Sequence, residues 1–201
     1  HLVTGGGGHP GLHGTEQTDA GATWTTVQTG SFKDMEYKPG DPTTVYACGA
    51  EFYRSTDSGV TWTKITSILP AAANVSRMAI AVTPADPNII YMIVGLPAPN
   101  YGTEGFYKST NSGVTWTKPS TPALGTQQWY DLGIAISPSN ANEVIIGGQT
   151  DFKRTTNGGT NWSLFAHWTG SGAPYVHADI HDLIYKNGTS IYVSCDGGGF
   201  Y

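Results

Sequence analysis

Arginine is scarce in this chain. Of 201 residues only Arg54, Arg77 and Arg154 are arginine, charged residues make up 12%, and the formal net charge is -5. That composition provides no basic stripe for a polyphosphate, which argues against a nucleic-acid partner. No apolar run approaches the length of a membrane span, and no amphipathic helical period is sustained anywhere. Cysteine is also rare: Cys48 and Cys195 occur in similar local settings, Val45-Tyr46-Ala47-Cys48-Gly49 and Ile191-Tyr192-Val193-Ser194-Cys195-Asp196. Equivalent positions in distant units of a repeat array do not meet, so two free, half-buried thiols are expected rather than a bridge, and the redox compartment stays open. What the chain has in quantity is 27 glycines and 12 prolines, the composition of many short strands and turns.

Those turns follow a repeated pattern. Ser55-Thr56-Asp57-Ser58-Gly59-Val60-Thr61-Trp62 recurs with small changes at Gln17 to Trp24, Ser109 to Trp116 and Thr155 to Trp162. In each copy an Asp or Asn (Asp19, Asp57, Asn111, Asn157) is followed two residues on by Gly and five on by Trp. The Asx oxygen can accept backbone N–H groups of its own turn, the Gly supplies a positive φ, and a strand starts at the aromatic. Strand-like residues precede three of the boxes, Phe52-Tyr53-Arg54, Phe106-Tyr107-Lys108 and Phe152-Lys153-Arg154, so each box reads as the tip of a β-hairpin.

A longer unit surrounds each box. Met35 to Cys48, Met78 to Val94 and Leu132 to Ile146 each read as strand, Pro/Gly/Asn turn, strand, and His181 to Ser194 starts a fourth copy. The full unit is four antiparallel strands, and successive Asx positions lie 38, 54 and 46 residues apart, the length of a propeller blade. The expected fold is therefore all-β. It is a β-propeller of four-stranded antiparallel blades at about 31–66, 76–119 and 130–166, with partial blades at 1–28 and 180–201. The strand-like start at His1 and the stop at Tyr201, where a fifth box is due, give the expectation of an incomplete array within a larger chain.

The box Ser-x-Asp-x-Gly-x-Thr-Trp, in four copies at blade spacing, resembles the Asp-box or bacterial neuraminidase repeat. That repeat occurs in sialidases, sortilin-type receptors, xyloglucanase-type glycoside hydrolases and many secreted bacterial proteins. The resemblance implies a box that is a structural hairpin at the blade periphery, remote from ligand. Asn111 and Asn157 depart from its Asp and keep its acceptor oxygen. By the same resemblance the ligand face is built by loops entering first strands and joining second to third strands. Those loops carry Glu51, Glu104, Asp151 and Asp196, with Trp129-Tyr130-Asp131 and His177 to Asp182 before first strands.

In the run His177-Ala178-Asp179-Ile180-His181-Asp182, an extended chain puts His177, Asp179 and His181 on one side and Asp182 on the other. Such a set suits a metal site, an acid/base cluster, or the polar lining of a wet central channel; spacing alone fixes no ligand geometry. No metal and no cofactor is expected. Tyr192 to Tyr201 resembles the strand, Asp-x-Gly-Gly, aromatic segment where xyloglucanase-type enzymes place a catalytic carboxylate, and that resemblance implies a general base at Asp196; Asp179, from the cluster above, is the second candidate catalytic residue. A tight turn needing glycines is the alternative. Candidate ligand contacts are Glu51, Glu104, Trp129, Asp131, Asp151, His177, His181 and Asp182. A sialidase clamp of three arginines is not available, because Arg54 and Arg154 occupy the same repeat position and only Arg77 remains.

The expected function is a secreted or cell-surface module that binds a glycan or protein ligand, with a glycoside hydrolase of xyloglucanase-like type as the alternative.

Overall fold

The structure is a computed structural model that describes residues 2–4, 13–17, 22–23 and 25–201, the first two segments as backbone only. Leu2–Thr4 (β1), His13–Gln17 (β2) and Thr25–Thr29 (β3) pair as a three-stranded sheet. Three four-stranded sheets follow. The first comprises Asp34–Lys38 (β4), Asp41–Cys48 (β5), Phe52–Ser55 (β6) and Thr63–Ile65 (β7). The second comprises Arg77–Val82 (β8), Ile90–Leu96 (β9), Gly102–Ser109 (β10) and Thr117–Ser120 (β11). The third comprises Gly133–Ile136 (β12), Val144–Gly147 (β13), Asp151–Thr155 (β14) and Ser163–His167 (β15). Ile180–Tyr185 (β16), Ile191–Cys195 (β17) and Gly198–Phe200 (β18) make the last, three-stranded sheet. Every ladder is antiparallel between neighbours in sequence, and the helical content of the described residues is a 3-10 turn at Ala72–Asn74.

Why the sheets stack is visible in the middle strands. β9 is buried from Ile90 to Gly95 and β13 along its whole length, because each sheet lies between two others and both faces must be apolar. Period two then divides the strand between neighbours. Met78, Ile80, Ile90 and Met92 pack with Tyr46, Cys48 and Phe52 of the preceding sheet. Ala79, Ala81, Tyr91 and Ile93 pack with Leu132, Ile134, Val144 and Ile146 of the following one. A third core joins Ala135, Ile145 and Phe152 to Ile180, Leu183 and Val193. β4 packs beside β8, β8 beside β12 and β12 beside β16, so the first strands of four sheets come together around a central cavity. The fold is a β-propeller.

The described boxes sit between third and fourth strands. In the box after β6, Asp57 Oδ1 accepts the Thr61 N–H at 2.8 Å and Oδ2 the Thr61 hydroxyl at 2.6 Å, while Ser55 Oγ accepts the Gly59 N–H at 2.9 Å. Asn111 and Asn157 accept the N–H groups of Thr115 and Asn161 in the same way. Gly59 has φ 89°, and Ser58 before it is also positive at 62°. Asp19, Gly21 and Trp24 of the first box lie outside the described residues. Cys48 and Cys195 are free, as expected, but both are buried rather than half-buried, since each lies on a strand packed between sheets.

Candidate functional site

Three loops meet beside the inner strands. The segment before β12 ends in Trp129, Tyr130 and Asp131, the segment before β16 carries His177 and Asp179, and the turn between β17 and β18 carries Asp196. Their positions are set by main-chain bonds. The N–H groups of Tyr130 and Asp131 both donate to the Gln127 carbonyl, at 2.7 and 3.0 Å, and the Asp179 N–H donates to the Gln149 carbonyl at 3.0 Å. Arg77, at the start of β8, donates from Nη1 to the Tyr130 carbonyl at 2.7 Å. Gly197 is needed where it stands: any Cβ there would run into the His177 ring, so the Asp196 turn can close on that imidazole.

Asp196 is the polar focus. Its Oδ1 lies 2.6 Å from His181 Nε2, and Tyr130 donates its hydroxyl to the same oxygen at 3.3 Å. The Tyr130 ring stands edge-on to the His181 imidazole with centroids 4.9 Å apart. The His181 contact is the main influence holding the Asp196 carboxyl below the usual carboxylate range. This group is open to water, with Asp196, Tyr130 and the adjacent Trp129 all exposed.

Behind it lies a different environment. Asp131 is fully buried, and burial, followed by the hydrogen bond and charge of Asp179, pushes its carboxyl up to about 8. Neither oxygen of Asp131, nor Oδ1 of Asp179, receives an N–H or O–H donor from another described group. Asp179 is held at φ 62°, an unusual backbone for a residue other than glycine.

Of the remaining sequence candidates, Glu51, Glu104 and Asp151 pair within their own sheets. Glu51 pairs with Lys64 Nζ at 2.8 Å and accepts the Tyr53 hydroxyl at 2.6 Å; Glu104 repeats this with Lys118 at 2.7 Å and Tyr107 at 2.6 Å. Asp151 takes the same place in the next sheet, with Lys153 at 3.1 Å and His167 at 3.8 Å. These three acids hold third strands to their own sheets. Asp182 lines the central cavity of about 370 Å³ together with Asp34, Glu36, Arg77 and His181. His177 turns its Nδ1 to the Ala178 carbonyl at 3.0 Å. Among the described residues no group of three His, Cys, Asp or Glu is arranged to hold a metal ion.

Sequence reasoning gave Arg77 no role and passed over Asp34 and Glu36. The available signal was the alternation Asp34-Met35-Glu36, acids at every second position of a first strand, which puts both on the cavity side.

No protein-family model and no curated protein matches the sequence. Solved structures do match. The GH74 enzyme of Niastella koreensis is 17% identical at TM-score 0.66, over 98% of this chain and 33% of that one. The GH74 xyloglucanase from Xanthomonas campestris is 15% identical at TM-score 0.64, over 94% and 33%. A Hadza microbial sialidase is 16% identical at TM-score 0.52, over 91% and 41%. These likenesses establish the β-propeller. At such identity they carry the fold alone, and the chain spans well under half of each of those proteins. Among the described residues no helix is long and apolar enough to cross a membrane.

Proposed function

We propose that this chain is a ligand-binding β-propeller module of the Asp-box type, acting outside the cell or at its surface, and that its ligand is a glycan held at Trp129, Tyr130, His181 and Asp196. The observation that carries this is the ionised Asp196 carboxylate, fixed by His181 at 2.6 Å beside two exposed aromatic rings. A sugar presents apolar C–H faces and hydroxyl donors together, so an aromatic surface next to a carboxylate acceptor offers both kinds of contact. The Asp-box assignment rests on the repeated Asx–Gly–Trp hairpins, and a polysaccharide ligand puts the module outside the cytoplasm.

A second reading, a glycoside hydrolase, draws on one feature: Asp196, held below the usual carboxylate range, shares its loop cluster with Asp131, whose carboxyl is pushed up to about 8. Carboxyls whose environments push them apart suit the base and acid tasks of glycoside cleavage. Titration calorimetry with a panel of soluble β-glucans and other plant and bacterial polysaccharides tests the binding reading. Binding by the native chain, lost in Asp196→Asn and weakened in Trp129→Ala, is the expected result. A panel without any binder, or binding indifferent to both substitutions, removes it.

A further inference from the structure

Two Asn-Gly steps occur in the chain, Asn157–Gly158 in the last described box and Asn187–Gly188 in the turn that joins β16 to β17. Their side-chain settings are alike. Asn157 Oδ1 accepts the Asn161 N–H at 3.0 Å and the Thr155 hydroxyl at 2.9 Å. Asn187 Oδ1 accepts the N–H groups of Thr189 at 2.9 Å and Ser190 at 2.8 Å, together with the Thr189 hydroxyl at 3.0 Å. In both, the amide oxygen draws its donors from its own turn.

The two glycines differ. Gly158 is buried, and its N–H donates to the Asn142 carbonyl at 2.9 Å. The space beside its Cα is walled by Lys108 Nζ, Tyr91 Oη and Asn142 Oδ1. Gly188 is exposed, as are Lys186, Asn187 and Thr189, and its N–H has no acceptor among the described residues. Having no Cβ, Gly188 leaves that nitrogen open to water on the same side as the Asn187 amide.

We propose that Asn187 is a site of spontaneous covalent modification, converted in the folded protein through a succinimide to an aspartyl or isoaspartyl residue, and that the main-chain bond of Gly158 keeps Asn157 from the same fate. The co-reactant is water. The Gly188 N–H gives its proton to water or hydroxide, its nitrogen forms a bond to Asn187 Cγ, and the Cγ–Nδ2 bond breaks as the amide takes up a proton and leaves as ammonia. Negative charge develops on Oδ1 in the intermediate, where the Thr189 and Ser190 donors already point. One water then opens the ring at either carbonyl, with no change of oxidation state. Opening in the isoaspartyl sense runs the main chain through Cγ, so the carbonyl that capped the Thr189 and Ser190 N–H groups becomes part of the backbone of the turn. Either product adds a negative charge beside Lys186.

The test follows one protein with its own internal control. The folded chain is aged in mildly alkaline buffer, digested in acid, and its peptides are measured by mass spectrometry with fragmentation that separates aspartyl from isoaspartyl forms. Acid of both forms should accumulate at position 187 with release of an equal amount of ammonia, while Asn157 keeps its amide. In a chain aged in urea, where Gly158 loses the Asn142 carbonyl, the two positions should convert alike. Gly188→Ala, whose Cβ screens the nitrogen, should slow the loss of the Asn187 amide steeply. An intact amide at 187 in the folded chain, under conditions that convert it in urea, overturns the site. Equal conversion at 157 and 187 in the folded chain, or conversion undiminished in Gly188→Ala, overturns the role given to the glycine nitrogen. None of these outcomes touches the glycan reading, because the Asn187 turn closes the end of the β16–β17 hairpin opposite His181 and Asp196.

Discussion

Trp162 stands edge-on to Phe106 of the preceding sheet, with ring centroids 4.9 Å apart and planes at 84°. Trp116 meets Phe52 in the same way at 5.0 Å and 79°. The box is therefore a joint between blades as well as a turn within one. Its Gly brings the loop against the same aromatic, since a Cβ on Gly113 would lie 3.1 Å from the Phe52 ring. In the last described box the joint has an added polar link: Trp162 Nε1 donates to Ser120 Oγ at 3.0 Å, and that hydroxyl donates to the Gly159 carbonyl.

Removing the joint should cost more than removing the turn. Trp116 is 4% exposed, so Trp116→Ala should destabilise by about 3–5 kcal/mol, the range for truncating a buried large aromatic. Urea unfolding followed by circular dichroism measures it. A loss below about 1 kcal/mol would show that the sheets do not depend on this contact.

Asp57→Ala removes an acceptor of three N–H or O–H groups within an exposed turn and should cost about 1–2 kcal/mol. Asp57→Asn should be nearly neutral, because Asn111 and Asn157 already do the same work with an amide oxygen. Glycan affinity should not change in either variant. If Asp57→Ala lost ligand at unchanged stability, the box would belong to the site rather than the frame.

The frame was legible because its rules are local. Asp57, Gly59 and Trp62 state a turn within eight residues, and the continuous apolar runs from Ile89 to Val94 and from Val144 to Ile146 fit strands covered on both faces. The candidate site was legible only in part. His181 and Asp196 stood out in sequence, yet their contact depends on a turn that folds back onto His177, which spacing does not report. Glu51, Glu104 and Asp151 recur at equivalent places and resembled a shared acidic face. Lys64 and Lys118, which pair with Glu51 and Glu104, stand on the neighbouring fourth strands, as His167 does for Asp151, and that pairing is a matter of strand register. Arg77 and Asp131 gain their roles from neighbours some fifty residues away in sequence, beyond the reach of any local pattern.

Glu36 should make the protein less stable as pH rises. Its carboxyl, lining the central cavity, is pushed up to about 8, first by burial and then by the charges of Asp34 and Asp182. The folded form thus keeps a proton that the unfolded chain gives up near its ordinary value of 4.5. The resulting stability is fully present below that value and is lost progressively as pH rises to about 8. Glu36→Gln carries no such proton, so its unfolding midpoint should exceed that of the native chain at alkaline pH, by about 1–2 kcal/mol allowing for water in the cavity. Parallel unfolding profiles of the two proteins between about pH 5 and about pH 9 would exclude this role for Glu36.

Turnover by the isolated chain is expected to be absent, and the reason is geometric. Glycoside cleavage needs an acid that reaches the leaving oxygen and a second carboxyl across the substrate from it. Asp196 is exposed and held below the usual carboxylate range, which suits a base, but the acid pushed up to about 8 in this neighbourhood is Asp131, which is buried. A buried acid cannot meet a glycosidic oxygen without the opening of the loop that carries it. The exposed cluster is thus equipped to accept hydroxyl groups, while its raised acid, Asp131, lies buried. Reducing-sugar release from a β-glucan panel should be equal and near zero for the native chain, Asp196→Asn and Asp179→Asn, with glycan binding retained by the native chain. Measurable release that falls steeply in Asp196→Asn alone would reverse this assignment and make Asp196 a catalytic base.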